Sequence, residues 1–353
     1  MKDIHNVLLM ATIGLHFLIS QSFAADVSVG SSVAGGEQLI AKNVINMAAK
    51  WCGNDDVVLN TERFGPILVN LSKGGQRKFA KGGNISAINC SPDGKWLVTV
   101  DTDSARYDRD TAGHEDYGHG VKDFSRINLN SGKNESFAVA QGGGEWSPDG
   151  TKILFIGKAP HLSIKQPDPK WEFYWSHDWS SGSGGVAAWM PDSKNLLLGH
   201  RGKFYLQDGQ DLAPLDQMLT RGFGEIAELK IDGRGNIYVS TTNTSDLAMM
   251  YQLFKCSIDI PKIICVKIVG AASGAISFDI SRDGQRLVLV NEDNSSLYLT
   301  NTATLKSKKI AENVSGSPSI SPDGKRVAFY RESNVEIENA GFDSDDAFVM
   351  PLN

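Results

Sequence analysis

The sequence predicts an all-β protein, a seven-bladed β-propeller whose last blade is completed by an N-terminal strand. Three observations predict it: a short phrase recurs along the chain, apolar residues recur at fixed offsets from it, and the repeat length suits a four-stranded blade. The phrase is Ser91-Pro92-Asp93-Gly94-Lys95, Ser147-Pro148-Asp149-Gly150-Thr151 and Ser321-Pro322-Asp323-Gly324-Lys325. Worn copies stand at Met190-Pro191-Asp192-Ser193-Lys194, Ile231-Asp232-Gly233 and Ser281-Arg282-Asp283-Gly284. Each reads as a turn leading into a strand. Proline presets φ, aspartate bonds its own backbone, and glycine supplies the left-handed residue. The strand residues that follow Gly324, Val327-Ala328-Phe329, are apolar as a buried strand requires.

Aligned on the turn aspartate, the copies lie 56, 43, 40, 51 and 40 residues apart. A propeller blade runs about 40–45 residues, plus loop insertions. Three residues before each aspartate stand Cys90, Trp146, Trp189, Leu229, Ile280 and Ile320; five residues after it stand Val98, Leu154, Leu197, Ile237, Val288 and Ala328. All 12 are apolar, where the chain's 41% apolar content would supply about five. A shared core layer accounts for that excess. The same columns reveal a blade without the phrase, through Trp51 and Leu59, if Asn54 takes the aspartate's place.

Each blade is expected to hold four strands. The first has Ile45-Asn46-Met47, Val57-Val58-Leu59, Ile67-Leu68-Val69 and Arg77-Lys78-Phe79; the sixth has Ile276-Ser277-Phe278, Leu287-Val288-Leu289, Leu297-Tyr298-Leu299 and Lys308-Lys309-Ile310. The seventh stops after a third strand, Ala347-Phe348-Val349-Met350, while an orphan strand, Glu37 to Lys42, precedes the first blade. Pairing the two closes the ring and leaves only short, protected sheet edges.

Residues 1–24 read as a secretory signal: Lys2 near the start, an apolar run from Val7 to Ile19, then small residues at Ser22 and Ala24. Residues 25–35 read as a linker and 36–353 as the propeller. The expected location is periplasmic or secreted, with no later membrane span. A net charge of −6 argues against a nucleic-acid partner. In an oxidising compartment the four cysteines are disulfide candidates. Cys256 and Cys265 flank a strand–turn–strand with Pro261 between them and are expected to bridge; Cys52 and Cys90 are expected to be buried free thiols.

The repeats resemble the WD40-like repeats, called PD40, of the TolB-type propellers. The resemblance covers about residues 36–353 and rests on the phrases at 91–95, 147–151 and 321–325. It implies an extracytoplasmic or envelope setting, but no particular partner. It also marks a turn and not a site, so it says little about activity. Prolyl-oligopeptidase-type enzymes join such propellers to a hydrolase domain, but no Gly-x-Ser-x-Gly elbow occurs here, which excludes catalysis by that route.

Loops carry function on a propeller scaffold. The longest insert, 101–120, holds Asp101, Asp103, Asp108, Asp110, His114, Glu115, Asp116 and His119. Clustered carboxylates suit Ca²⁺, and imidazole with carboxylate suits a transition metal, though no spacing matches a known metal motif. Trp171, Phe173, Trp175 and Trp179 form an aromatic stretch read either as inter-blade packing or as a platform for a sugar or a partner's apolar side chain. A second acidic loop is expected at Glu332, Glu336, Glu338, Asp343, Asp345 and Asp346. The leading expectation is a module that binds a protein or envelope component; no cofactor is expected, and a divalent metal such as Ca²⁺ is the one candidate the loop offers. The alternatives are a metal-assisted hydrolase or lyase built on Asp101, Asp103, His114 and His119, and carbohydrate binding.

Overall fold

The computed structural model describes residues 32–33, 36–45, 47–61, 65–79, 85–106, 121–140, 142–156, 163–164, 172–176, 186–200, 202–208, 211–218, 225–243, 250–268, 275–333 and 344–353. Their regular structure is strand throughout, apart from one short 3₁₀ turn at Glu292–Asn294. No helix among them is long and apolar enough to cross a membrane.

Six sheets are blades of at least four strands, joined antiparallel from the inner strand outward. The first blade runs Lys50–Trp51, Asp56–Thr61, Gly65–Asn70, Gln76–Lys78. The second runs Ile85–Cys90, Trp96–Arg106, Val121–Asn128, Asn134–Ala140, with Ser163–Ile164 added at its edge. The third runs Val186–Trp189, Asn195–His200, Lys203–Asp208, Asp211–Pro214. The fourth runs Glu225–Ile231, Ile237–Asn243, Met250–Asp259, Lys262–Lys267, with Asp216–Met218 added parallel at its edge. The fifth runs Ala275–Ile280, Arg286–Asn291, Ser296–Asn301, Ser307–Glu312. The closing blade takes Ser315–Ile320, Arg326–Glu332 and Ser344–Pro351 from one end of the chain and Glu37–Ile45 from the other, with Ser32–Val33 outside it.

The expected count of seven blades is corrected to six. The residues around Asp149 form instead a three-stranded sheet, Gly142–Trp146, Lys152–Ile156 and Glu172–Ser176. Its third strand runs parallel to the second, with Phe155 opposite Trp175. The reason lies in the connection. A tight turn returns the chain antiparallel, whereas a connection of a dozen or more residues lets it re-enter from the same end; here residues 157–171 intervene. The sheet still sends its inner strand to the centre.

The closing strand pairs antiparallel with the last, Gln38 opposite Val349 and Leu39 opposite Phe348. It continues through Ile45, so the inner strand of the first blade is Lys50–Trp51 and not Ile45–Met47 as expected. Polar contacts fasten this join. Arg331 grips both oxygens of Glu37 at 2.8 and 3.0 Å, and the Asn43 amide donates to Asp346 Oδ1 at 3.3 Å. Arg326 reaches the first blade through Asp55, 2.8 Å away. Asp345 and Asp346 therefore belong to a strand and not to an acidic loop, and Asp345 is fully buried with Ser315 Oγ donating to it at 2.7 Å. Glu332 ends the preceding strand, while Glu336, Glu338 and Asp343 lie outside the described residues.

The two apolar columns are the core. Val98, Leu154, Leu197, Ile237, Val288, Ala328 and Leu59 are all 0–1% exposed, and Cys90, Trp146, Trp189, Leu229 and Ile320 are buried beside them. The repeated turn is held by its own side chains. Ser91, Ser147, Ser281 and Ser321 each donate through Oγ to the aspartate two residues on, at 2.6–2.7 Å. The same Oγ accepts the amide five residues on, at 2.9–3.0 Å. Gly94 has a second reason to be glycine: φ is +69°, and a Cβ there would sit 2.3 Å from the carbonyl oxygen of Cys52 in the first blade.

Both cysteine pairs are bridged. Cys256 and Cys265 lie opposite each other on one hairpin. Cys52 and Cys90 are bridged rather than free, because the turn of the first blade packs on the inner strand of the second and brings them together.

Candidate functional site

The inner strands surround a central channel, and at its turn end they enclose a cavity of about 710 Å³. Every sheet contributes to its wall. Strand alternation decides which side chains face it. The residue three before each turn aspartate is buried between sheets and borders the cavity, and the residue four before it lies on the other face of the strand and borders the cavity too. Those positions are Lys50, Asn89, Glu145, Ala188, Glu228, Asp279 and Ser319, and all line the cavity. Lys230, two before Asp232, joins them.

The wall is fixed between sheets. Trp51 Nε1 donates to the Ser319 carbonyl at 3.1 Å, and Trp189 Nε1 to the Glu145 carbonyl at 3.2 Å. In both cases the tryptophan of one sheet holds the channel-facing residue of the sheet before it. The preference for tryptophan at this column thus serves the site as well as the core.

The charges are arranged in two groups. Lys230 Nζ lies 3.0 Å from Asp279 Oδ1 and 3.3 Å from Glu228 Oε1. Asp279 Oδ2 also accepts the amide of Ile320 at 2.7 Å, tying the fifth blade to the closing one. Burial disfavours the charge on Lys230, but Asp279 and Glu228 outweigh it and hold the ammonium above its ordinary range. In the second group, Asn89 Nδ2 donates to Glu145 Oε2 at 2.5 Å. Lys50 makes no ion pair or side-chain hydrogen bond among the described residues. Burial pushes the Lys50 amine below its ordinary range, with Glu145 the strongest opposing charge and Lys230 adding to the depression.

Sequence reading missed this ring. The signal was present: four positions before the turn, six of seven residues are polar or charged on strands whose next residue is apolar, namely Lys50, Asn89, Glu145, Glu228, Asp279 and Ser319.

Of the site residues singled out from sequence, the described ones do not line the cavity. Asp101 and Asp103 stand on the strand Trp96–Arg106, not on a loop. Asp108, Asp110, His114, Glu115, Asp116 and His119 lie outside the described residues, as do Trp171 and Trp179. Phe173 and Trp175 stand on the strand Glu172–Ser176. Among the described residues no cluster of three or more His, Cys, Asp or Glu has the arrangement to hold a metal ion.

No protein-family model matches the chain, and no curated protein is similar to it in sequence. Solved structures are similar in fold. The β-propeller domain of Cps50 (Swd1) from Myceliophteria thermophila aligns with a TM-score of 0.58 at 12% identity, over 91% of this chain and 98% of that one. The β-propeller domain of the Trilobed protease from Pyrococcus furiosus aligns with a TM-score of 0.57 at 14% identity, over 88% and 96%. TolB from Acinetobacter baumannii aligns with a TM-score of 0.45 at 14% identity, over 85% of this chain, which spans 65% of that one. The TolB-type resemblance seen in the repeats is therefore one of several distant likenesses, and no single propeller family is shown. What the matches establish is the architecture: this chain is a β-propeller.

Proposed function

We propose that this chain is an extracytoplasmic binding propeller that takes a polar part of a protein or envelope component into the turn end of its channel. One observation carries the reading: a cavity of about 710 Å³ walled by every sheet, with Lys50, Glu145, Glu228, Lys230 and Asp279 brought together there. Ligand sites commonly enclose about 300–1,000 Å³ and place a few polar groups on rigid walls. Interlocked sheets supply that rigidity, so little ordering cost falls on the protein when it binds. The setting outside the cytoplasm is supported by the signal-like residues 1–24 and by the pairing of all four cysteines in bridges.

The test is to plug the channel. Ala188 lines the cavity without a charge of its own, so Ala188→Arg places a long side chain at the mouth while leaving the charged residues unchanged. Immobilised full chain and the variant, matched for melting temperature, are exposed to the same envelope extract. A component retained by the first and lost by the second is the expected result. Identical retention by both would refute the channel as the recognition surface.

A further inference from the structure

We infer that the channel ligand is zwitterionic, placing an anionic group at Lys50 and a cationic group at Glu145. The inference rests on the binding reading above and adds the chemistry of what is bound.

The argument starts from which charges are already satisfied. Glu228, Lys230 and Asp279 form a closed group: the one ammonium contacts both carboxylates, and Asp279 has a backbone amide besides. Lys50 and Glu145 are different. Lys50 makes no contact ion pair among the described residues, although Glu145 acts on it at longer range, and the hydrogen-bonding partner of the Glu145 carboxylate is the neutral amide of Asn89. Both are only partly accessible, and both face the same cavity. A poorly solvated charge without a counter-charge is costly, and the cost is recovered when a ligand supplies one. Arg282, at the same mouth, is exposed and solvated, so it makes no such demand.

The sign of the ligand follows from the remaining wall. The closed group carries one positive and two negative charges, so it repels a simple anion approaching Lys50. Lys50 in turn repels a simple cation approaching Glu145. A ligand bearing both charges meets a favourable partner at each end and neither repulsion in full. An amino-acid or peptide-like group has that pattern. The lowered proton affinity of Lys50 is consistent with this: burial weakens its charge, and an arriving anion restores it.

The test uses probes of graded charge separation. The full chain is titrated calorimetrically at constant ionic strength with glycine, γ-aminobutyrate and ε-aminocaproate, and with acetate and butylamine as single-charge controls. At least one zwitterion is expected to bind more tightly than either control. Lys50→Met and Glu145→Gln are each expected to weaken it about tenfold or more, equivalent to about 1.4 kcal/mol. Lys50→Arg and Glu145→Asp, which keep the charges, are expected to retain most of the affinity and guard against loss of fold. Absence of binding by every zwitterion, equal binding by a single-charge control, or unchanged affinity in Lys50→Met and Glu145→Gln would overturn the inference. If the plugged-channel comparison still shows a lost component while these titrations fail, only the charge assignment falls. If both fail, the binding reading falls with it.

Discussion

Replacing Ile40 by alanine tests how the ring is closed. Ile40 is 0% exposed on the N-terminal strand of the closing blade. It belongs to a cluster with Val57, Leu59 and Ile67 of the first blade and Tyr330, Ala347 and Val349 of the closing blade. Truncation to alanine removes three buried carbon groups, each contributing about 0.8 kcal/mol of transfer free energy. A part-collapsed cavity adds to this, giving an expected loss of about 3–4 kcal/mol. That is a large share of the ~5–15 kcal/mol that holds a domain folded. Urea unfolding followed by far-UV circular dichroism measures the total. Amide exchange locates it: Arg326–Glu332 and Ser344–Pro351 should lose protection before Arg286–Asn291 and Ser296–Asn301 of the fifth blade. A loss below about 1 kcal/mol, or exchange that quickens equally in both blades, would refute the claim that this strand closes the ring.

Lys230→Met strands Glu228 and Asp279 beside each other and is expected to cost about 2–3 kcal/mol; adding Asp279→Asn should recover part of it in a double-mutant cycle. Acid should unpick the turns. Burial raises the carboxyls of Asp93, Asp149, Asp192 and Asp323, but serine, backbone or asparagine hydrogen bonds outweigh it and hold them below their usual range; at Asp283 the Ser281 hydroxyl is the largest influence in the same direction. Because the folded values are depressed, their stabilisation is complete above the ordinary aspartate range, near about pH 4, and is lost as pH falls through the folded values. Unfolding free energy measured from pH 5 downward should therefore fall steeply, and less steeply in Asp323→Asn. Gly132→Ala and Gly94→Ala separate conformation from contact. Both glycines have positive φ, but a Cβ at Gly132 meets nothing within 4 Å, while one at Gly94 meets the Cys52 carbonyl. The first should cost about 1–2 kcal/mol in a melt and the second distinctly more.

The features legible in the sequence are those tied to the turn. Ser-Pro-Asp-Gly positions the inner strand before it and the next strand after it, so residues such as Trp189 and Leu197 announced the core by offset alone. The outer strands carry no such landmark. Nothing at a fixed distance from Asp149 reveals that Glu172–Ser176 enters parallel, which is why the repeats count seven blades where the structure has six. The Cys52–Cys90 bridge depends on how far one sheet is displaced against the next, and that displacement is set by packing such as Gly94 on Cys52. The channel ring was hidden for another reason. Its positions recur but its residue types do not, running Lys50, Asn89, Glu145, Ala188, Glu228, Asp279 and Ser319. A column that lines the channel differs in this way from a column that builds the core, because each core residue must match its counterpart in packing while a channel residue faces open space.

The join between the two chain ends has a consequence for synthesis. Glu37 and Arg331 are 294 residues apart, so the strand made earlier must wait for its partner through the synthesis of everything between them. At about 5–20 residues per second the wait is about 15–60 s. Throughout it, Leu39, Ile40 and Val44 present an unpaired apolar edge. A holding chaperone has its natural point of action there.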